Sequence, residues 1–421
     1  MDSQVLRTEL ARFRCTFFPA AAAQLRTKDL ISITRSSSVL KLYFASKLLR
    51  FGSLQRTQTS AAAIMAIPMN GGDGLYSYTK NCDIQKFVLD ACQVMIEEGI
   101  DHKLDIHASA PKAFLVADLG CSVGPNTFTA SQNIIQAVNL KYSCKSFTNG
   151  ESTPHEYHVF FNDHATNDFN TLFTSLPPER QYLAAGVPGS FYTRLFPRDS
   201  VHVIHSSYAL HWLSEVPSEV ININSTAYNK GRIHYRDSGM EVVKAYSAQY
   251  AKDMEIFLEA RAEEIVGGGL LMLVFPAIPN GTSPSLCTIG ILFDLLGSCL
   301  MDMAKLSKVS EAKIDSFNLP MHTAFPEEAE KLFTRNESFS MERMEEIPFL
   351  NPAKNGTVTS SYYYDHVRAV TEGVIESHFG SEIKDELFEH HYLNKLEEVN
   401  HILRSPKSIM LFVLLKRKVV N

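Results

Sequence analysis

The stretch AFLVADLGCSVGPN, residues 113–126, decides the fold of this chain. An apolar run ends on Asp118, a turn with Gly120 and Gly124 follows, and Asn126 opens a helical pattern. A strand, an acid-bearing glycine turn and a helix receive a nucleotide-like cofactor at the carboxyl end of a parallel strand. The spacing is DxGxxxG and not the GxGxxG that suits a pyrophosphate. We therefore expect a cofactor without phosphates, such as S-adenosylmethionine (SAM), whose cationic amino-acid end favours a nearby acid.

The same turn has a second interpretation, as the GxSxG nucleophile elbow of an α/β-hydrolase with Ser122 as nucleophile. Asp118 has no role in such an elbow. A second strand, EYHVFFND at Glu156–Asp163, also ends on an acid, which in doubly wound folds takes the ribose hydroxyls. The sequence separation between Asp118 and this second acid, Asp163, exceeds the usual spacing of about 20 residues. The polar residues 141–154 predict a loop insertion between them. The hydrolase interpretation explains neither acid and remains as the alternative from a different class of enzyme.

Composition excludes several classes of function. The chain has 421 residues, 20% of them charged, and a formal net charge of −6. The first 66 residues carry ten Lys/Arg against three Asp/Glu, and the rest carry 30 against 43. A body that acidic is unsuited to nucleic acid. No apolar run reaches the roughly 18 residues of a membrane span, so we expect no membrane partner.

Two features bear on compartment and domain organisation. Seven cysteines at irregular spacings give neither a disulfide framework nor a zinc pattern, which indicates a reducing, cytoplasmic environment. Residues 1–66 are basic and rich in Arg, Ser, Thr and Ala, so we expect an N-terminal extension that is transit-like or disordered. A true transit peptide would indicate a plastid or mitochondrion; otherwise the working protein starts near Met65 or Met69. Residues 67–421 then form the domain.

The body alternates strand and helix patterns, which predicts an α/β fold with a parallel sheet. Further strands are expected at 201–205, 269–275 and 408–416, and helices at 240–265, 289–306, 326–333, 366–378 and 383–403. The pattern changes after Pro276. We expect a helical cap there, inserted between the fourth core strand and the last pair of strands.

Seven segments in order resemble the SABATH family of plant carboxyl methyltransferases, which act on salicylate, benzoate and jasmonate. They are MNGGDGLYSYTKNCDIQ (69–85), DLGCSVGPNT (118–127), FFNDHATNDFNTLF (160–173), GVPGSFYTRLFP (186–197), HSSYALHWLSEVP (205–217), NKGRIHY (229–235) and DSFNLP (315–320). The branch that looks most similar contains loganate-type methyltransferases. The resemblance implies a Rossmann-like class I methyltransferase fold, a seven-stranded sheet with cap helices mainly within 280–335 and 360–405, and a homodimer.

The implied activity is SAM-dependent O-methylation of a small-molecule carboxylic acid to its methyl ester. The family also contains N-methyltransferases of xanthine-type alkaloids, which is the alternative on the same fold, and a non-catalytic member that binds only the cofactor is a third. For the cofactor, Asp163 would hold the ribose hydroxyls, and His164 stands where the family usually has leucine. The full set implied is Tyr78, Asp118, Gly120, Cys121, Asn126, Asp163, His164, Ser190 and Phe191.

The resemblance places the acceptor carboxylate against Gln85 and Trp212. An amide N–H and an indole N–H are neutral donors, which orient the oxygen without neutralising it and so leave it nucleophilic. A carboxylic acid with a pKa of about 4 is already ionised at neutral pH, so no catalytic acid or base is expected. The full set implied for the acceptor is Gln85, Tyr208, His211, Trp212, Leu292, Phe293, Val367 and Val370.

A cation site is also implied by the resemblance. Asn229, Asp315 and Asn318 would supply side-chain oxygens and Phe317 a backbone carbonyl, which are hard ligands that suit Mg²⁺. With only one full charge among them, the expected binding is weak and the role structural.

Overall fold

The computed structural model describes residues 67–105, 113–149, 156–348, 360–403 and 408–419. The side chains of 144–149 and 400–402 are not described. The expectations for the N-terminal extension, residues 1–66, lie outside the described residues.

The described strands form one seven-stranded sheet in the order β3-β2-β1-β4-β5-β7-β6. The strands are β1 Ala113–Leu119, β2 Glu156–Asp163, β3 Leu183–Pro188, β4 Val201–Ser207, β5 Ile265–Ala277, β6 Phe339–Pro348 and β7 Ile409–Arg417. Strands β1 to β5 pair in parallel, and β7 runs antiparallel to both β5 and β6. Strand order reverses between β1 and β4, the switch point where open α/β sheets bind ligands. The predicted α/β class I architecture is confirmed.

Helices cover both faces of the sheet and build the cap. They are α1 Asp83–Lys103, α2 Pro125–Asn149, α3 Phe169–Thr174, α4 Met240–Glu264, α5 Thr288–Lys305, α6 Glu311–Asp315, α7 Pro326–Arg335, α8 Ser360–Phe379, α9 Ser381–Glu386 and α10 Leu393–Leu403. A π-helical turn, Leu387–Tyr392, joins α9 to α10. No described helix is both long and apolar enough to cross a membrane.

Burial explains why the central strands are apolar throughout. Residues 270–275 of β5 are all 0–1% exposed, because a parallel strand between two helical layers has no solvent face. On one side α4 buries Tyr246, Tyr250 and Phe257, spaced to share one helical face. Burial of each such aromatic side chain contributes roughly 1.5–3 kcal/mol. These contacts hold the β4–β5 region rigid beneath the cavity described below.

The cap has a hydrophobic core of its own, formed mainly by α5, α8, α10 and the π-helical turn. The hydroxyl of Tyr392 donates to the carbonyl of Leu292 over 3.1 Å and ties the turn to α5. The cap therefore presents α5 and α8 as a preformed wall over the carboxyl edge of the sheet.

Two sequence expectations are corrected by the structure. Residues 141–149, predicted as the start of a loop insertion, continue α2, and residues 150–155 lie outside the described residues. The polar composition of residues 141–154 led to the error. The cap is also split: α5 to α7 precede β6 and α8 to α10 follow it, so it is not one insertion before the last pair of strands.

Candidate active site

A cavity opens where the carboxyl ends of β1, β2 and β4 face α1, α5 and α8. Most residues predicted for the two ligands line it. They are Tyr78, Gln85, Gly120, Asp163, His164, Phe191, Tyr208, His211, Trp212, Leu292, Phe293, Val367 and Val370. Four predicted cofactor residues do not line this cavity: Asp118, Cys121, Asn126 and Ser190.

The glycine turn after β1 approaches the cavity with its bare backbone. Gly120 has a φ of +79°, and a Cβ there would lie 2.4 Å from the Cβ of Ala209. The N–H groups of Gly120 and Cys121 donate to the carbonyl of Asn162 over 2.9 and 3.0 Å. Only glycine satisfies both the backbone angle and the space, so the turn can pack against Ala209 at the edge of the cavity.

The carboxylate of Asp163 is fixed at the tip of β2. Its Oδ2 accepts from the backbone N–H of Ser122 over 2.8 Å, and its Oδ1 accepts from that of His164 over 2.7 Å. Burial raises the pKa of Asp163, and these hydrogen bonds act in the opposite direction. Each oxygen retains a lone pair, so the side chain can still accept from a pair of ligand hydroxyls.

Asp118 has protein partners for both oxygens. Oδ1 lies 2.7 Å from Nδ1 of His205 on the adjacent strand β4, and Oδ2 accepts from the hydroxyl of Thr127 at the start of α2. The carboxylate thus joins two strands and a helix behind the turn. In this position Asp118 holds the turn and lies outside the cavity lining.

The other three residues behind the cavity wall also have local partners. The amide of Asn126 donates to the carbonyl of Cys82 over 3.0 Å. The hydroxyl of Ser190 accepts from the N–H of Tyr192 over 3.3 Å, and Cys121 is buried. They brace the turns that line the cavity.

At the acceptor end, polar atoms of Gln85 and Trp212 face no protein partner. Oε1 of Gln85 and Nε1 of Trp212 are buried, and neither has a hydrogen-bond partner within the described residues. The backbone at Trp212 is held by a bridge to Met321 and by the hydroxyl of Tyr192, which donates to the Trp212 carbonyl over 2.6 Å. A buried donor without a partner costs about 1–3 kcal/mol, which a ligand acceptor can recover.

The segment that carries the acceptor residues is itself strained. Tyr208 has a φ of +58°, and its N–H donates to the carbonyl of Val274 over 2.8 Å. Its ring meets that of His211 edge-on, with centroids 5.6 Å apart. Burial, with a smaller effect from His366, lowers the pKa of His211 to about 3, so its imidazole is neutral at physiological pH.

Ser122 is the residue on which the hydrolase alternative depends. It lies in the left-handed region with a φ of +49° and lines the cavity, as a nucleophile elbow would. Its buried hydroxyl, however, has no hydrogen-bond partner among the residues that the structure describes. A serine nucleophile needs a base within hydrogen-bond reach, so the geometry does not support acyl chemistry.

The N-terminal strap, residues 67–81, covers the cavity. It contains Tyr78, which the resemblance had assigned to the cofactor, together with three lining residues that the sequence analysis did not assign to either ligand. Ile67, Pro68 and Met69 line the cavity beside Tyr78. Asn70 fastens the strap to α8: its N–H donates to the Ala369 carbonyl over 3.0 Å, and its amide donates to the Glu372 carboxylate over 2.5 Å.

An arginine completes this attachment. The guanidinium of Arg368 lies 3.9 Å above the ring of Tyr76 and donates to Glu372. No periodic pattern marks residues 67–70, and only the family segment that begins at Met69 pointed to this part of the site.

His366 is a second cavity residue that sequence reasoning missed. It directly precedes Val367 on α8, which the resemblance had placed in the apolar wall of the acceptor site. Nδ1 of His366 lies 3.3 Å from the carbonyl oxygen of Asn81.

Three of the four residues expected to bind a cation have side-chain hydrogen bonds to protein groups. Asn318 Oδ1 accepts from the amide of Asn229 over 2.7 Å. Asp315 accepts from the N–H of Gly231 over 2.6 Å and from the hydroxyl of Tyr228 over 3.0 Å. Phe317 is buried beside them. Within the described ranges there is also no cluster of three or more His, Cys, Asp or Glu side chains that could hold a metal ion.

Comparison with known proteins agrees with this geometry. A family model described as SAM dependent carboxyl methyltransferase matches residues 65–418. Loganic acid O-methyltransferase of Catharanthus roseus is 47% identical over 363 residues, 85% of this chain and 95% of the relative. Farnesoic acid carboxyl-O-methyltransferase of Arabidopsis thaliana is 37% identical over 352 residues, 83% of this chain and 98% of the relative. A solved structure of loganic acid methyltransferase with SAH has a TM-score of 0.79 at 46% identity, and the match covers 84% of this chain and 99% of that one.

Proposed function

Because this chain belongs to the family of SAM-dependent carboxyl methyltransferases, we propose that its acceptor is an iridoid acid of the loganate type. The chain is an enzyme that uses SAM to convert a small-molecule carboxylic acid to its methyl ester. The observation that carries the narrower choice of acceptor is the 47% identity to loganic acid O-methyltransferase over 85% of the chain.

The carboxyl edge of β1 and β2 fits the cofactor. SAM supplies a methyl group on a sulfonium, which an acceptor oxygen displaces in line. The carboxylate of Asp163 accepts from the ribose hydroxyls, the bare Gly120 turn lets the ligand approach, and Phe191 covers the adenosine. The support for these roles is that Asp163 is held in place by two backbone N–H groups and that all three residues line one cavity.

Gln85 and Trp212 bind the acceptor carboxylate on the other side of the same cavity. A buried indole N–H without a protein partner supports this assignment, because a carboxylate oxygen would satisfy it. Tyr208 and His211 flank the body of the acceptor, and Leu292, Phe293, Val367 and Val370 form its apolar wall. Neutral donors and a neutral His211 leave the oxygen with its negative charge, as an attacking nucleophile requires.

Catalysis then rests on orientation and on exclusion of water, with no acid or base. The strap and the cap close the cavity around both ligands, so the acceptor oxygen can be held in line with the methyl group. Fixing two reactants in this way can lower a barrier by roughly 7–11 kcal/mol. The unpaired donor at this end is the indole N–H of Trp212, and Gln85 offers its amide N–H to a carboxylate oxygen when the two ends of its amide are exchanged.

Two further expectations stay predictions. The oxygens of Asn229, Asp315 and Asn318 accept hydrogen bonds from protein groups, which a Mg²⁺ ion would have to share or displace, and no step of the reaction is derived through a metal. Thermal unfolding with and without Mg²⁺ tests that site. The homodimer, together with the absence of nucleic-acid and membrane partners, rests on the family resemblance and composition, and light scattering of the purified chain tests the dimer.

The proposed acceptor is tested by methyl transfer from radiolabelled SAM to a panel of acids. The panel contains loganate, salicylate, benzoate, cinnamate, jasmonate, indole-acetate and farnesoate, with xanthosine as the nitrogen acceptor. The highest kcat/KM is expected for loganate. A higher kcat/KM for any planar aromatic acid would overturn the iridoid assignment and leave carboxyl methylation intact.

A further inference from the structure

His366 connects three parts of the molecule. It belongs to α8 of the cap, it lines the acceptor side of the cavity, and its Nδ1 lies 3.3 Å from the backbone carbonyl of Asn81 at the end of the strap. Asn81 is itself fixed, since its amide donates to the carbonyls of Leu75 and Ser77 over 2.9 and 2.8 Å. The imidazole is therefore held by a carbonyl that has little freedom to move.

That contact determines which nitrogen of His366 carries the proton. A backbone carbonyl can only accept, so Nδ1 must be the N–H that donates to Asn81. Burial lowers the pKa of His366, which keeps the ring neutral. In a neutral imidazole with Nδ1 protonated, Nε2 is a lone-pair acceptor and cannot donate.

The surroundings of this acceptor are apolar or neutral. Val367 and Val370 on the same helix and Phe293 on α5 line the wall, and the second imidazole, His211, is neutral. Among the described residues that line the cavity there is no Lys or Arg, so none of them offers a cationic partner for a second carboxylate on the acid.

Resting on the proposed function, we propose that Nε2 of His366 is a specificity-determining acceptor that binds a neutral hydroxyl on the acid. The enzyme then selects hydroxylated monocarboxylic acids over their deoxy analogues, because an acid without the hydroxyl leaves the lone pair unpaired. A dicarboxylic acid is disfavoured as a substrate. Its second carboxylate would lie in an apolar wall and would be repelled by the lone pair on Nε2 of His366, to which it cannot donate a hydrogen bond.

Two substitutions separate recognition from structure. In His366→Gln the longer amide can place a polar atom near the Nε2 position but not easily near Nδ1. In His366→Asn the shorter amide can still donate to the Asn81 carbonyl, while nothing replaces Nε2. His378→Gln, on the same helix with its imidazole against the Lys313 carbonyl and away from the cavity, is the matched control.

The measurement is the ratio of kcat/KM for an acid to that for its deoxy analogue, in the full chain, for the pairs loganate with deoxyloganate and hydroxycinnamate with cinnamate. The wild type and His378→Gln are expected to prefer the hydroxylated member of at least one pair by about tenfold, the effect of one hydrogen bond. His366→Asn should reduce that ratio to about one, and His366→Gln should retain most of it.

Three results overturn parts of this account separately. A wild type that methylates both members of each pair equally removes the hydroxyl subsite. A His366→Asn variant that keeps the wild-type ratio while His366→Gln loses it makes His366 a purely structural tether. A wild type that methylates none of these acids, while SAH still binds, refutes the proposed acceptor and not merely the role of His366.

Discussion

Replacement of Trp212 with phenylalanine separates the stability of this enzyme from its activity. The substitution removes a buried N–H that has no hydrogen-bond partner within the described protein. Loss of an unsatisfied donor relieves about 1–3 kcal/mol, and loss of the larger ring forfeits packing of a similar size. We therefore expect the free energy of unfolding to change by no more than about 1 kcal/mol.

The same N–H should matter greatly for the acceptor. A hydrogen bond to a charged group contributes about 1.5–3 kcal/mol, which corresponds to a fall in kcat/KM of roughly 10- to 150-fold. The carboxylate loses its charge as the ester forms, so the N–H binds the acid at least as strongly as the transition state. The loss should consequently appear mainly as a higher KM.

The assay combines steady-state kinetics with denaturant unfolding of the wild type and Trp212→Phe. Tyr182→Phe is the matched control, because it also removes a buried polar atom without a partner but lies outside the cavity. It should likewise change the free energy of unfolding by no more than about 1 kcal/mol, and it should leave the kinetics unchanged. An unchanged KM in Trp212→Phe, or a loss of stability that accounts for the loss of activity, would refute the reasoning.

Three further predictions concern the turn, acid stability and the strap. Gly120→Ala forces a methyl into the space of Ala209 and a φ of +79° on alanine, so calorimetry should find SAH affinity reduced by roughly 5- to 150-fold, an effect of about 1–3 kcal/mol; wild-type affinity would contradict this. His202 accepts from a β1 backbone N–H, and burial lowers its pKa to about 4, so its contribution to stability is complete above pH 6.5 and is lost as the pH falls from 6.5 towards 4. His202→Gln should flatten the measured decline by about 1.4 kcal/mol per pH unit, and an unaltered slope would refute the assignment. Glu372→Gln weakens the hold of α8 on Asn70, so limited proteolysis within residues 67–81 should become faster and KM should rise for both ligands, whereas an unchanged cleavage rate would show that the carboxylate does not secure the strap.

The sequence predicted those parts of the fold whose signals are local. The turn after Asp118 and the acid-tipped strand ending on Asp163 are both continuous segments, and the structure contains both as predicted. Strand β3, with the sequence LAAGVP, was not predicted, because small residues, glycine and proline carry no alternation. Strand β6 was expected only as one of a final pair, and its charges hide it, since edge strands carry charges that discourage further pairing.

Contacts between distant residues could not be predicted in the same way. The pairing of Asp118 with His205 joins positions 87 residues apart, and nothing near Asp118 indicates that its oxygens are already occupied. The tether of His366 to Asn81 spans 285 residues and depends on how the cap packs against the strap. The family resemblance supplied residue types for the site, and three-dimensional packing decided which of them reach the cavity.

The most direct test of the central claim is the position of the transferred methyl group. The full chain is incubated with loganate and SAM carrying a deuterated methyl group, and the product is analysed by mass spectrometry before and after mild base. The account predicts a single labelled product whose label is released by base together with recovery of the original acid, as for a methyl ester. Label that survives base on a hydroxyl or nitrogen, or no labelled product from any carboxylic acid despite SAH binding, would contradict carboxyl methylation at Gln85 and Trp212.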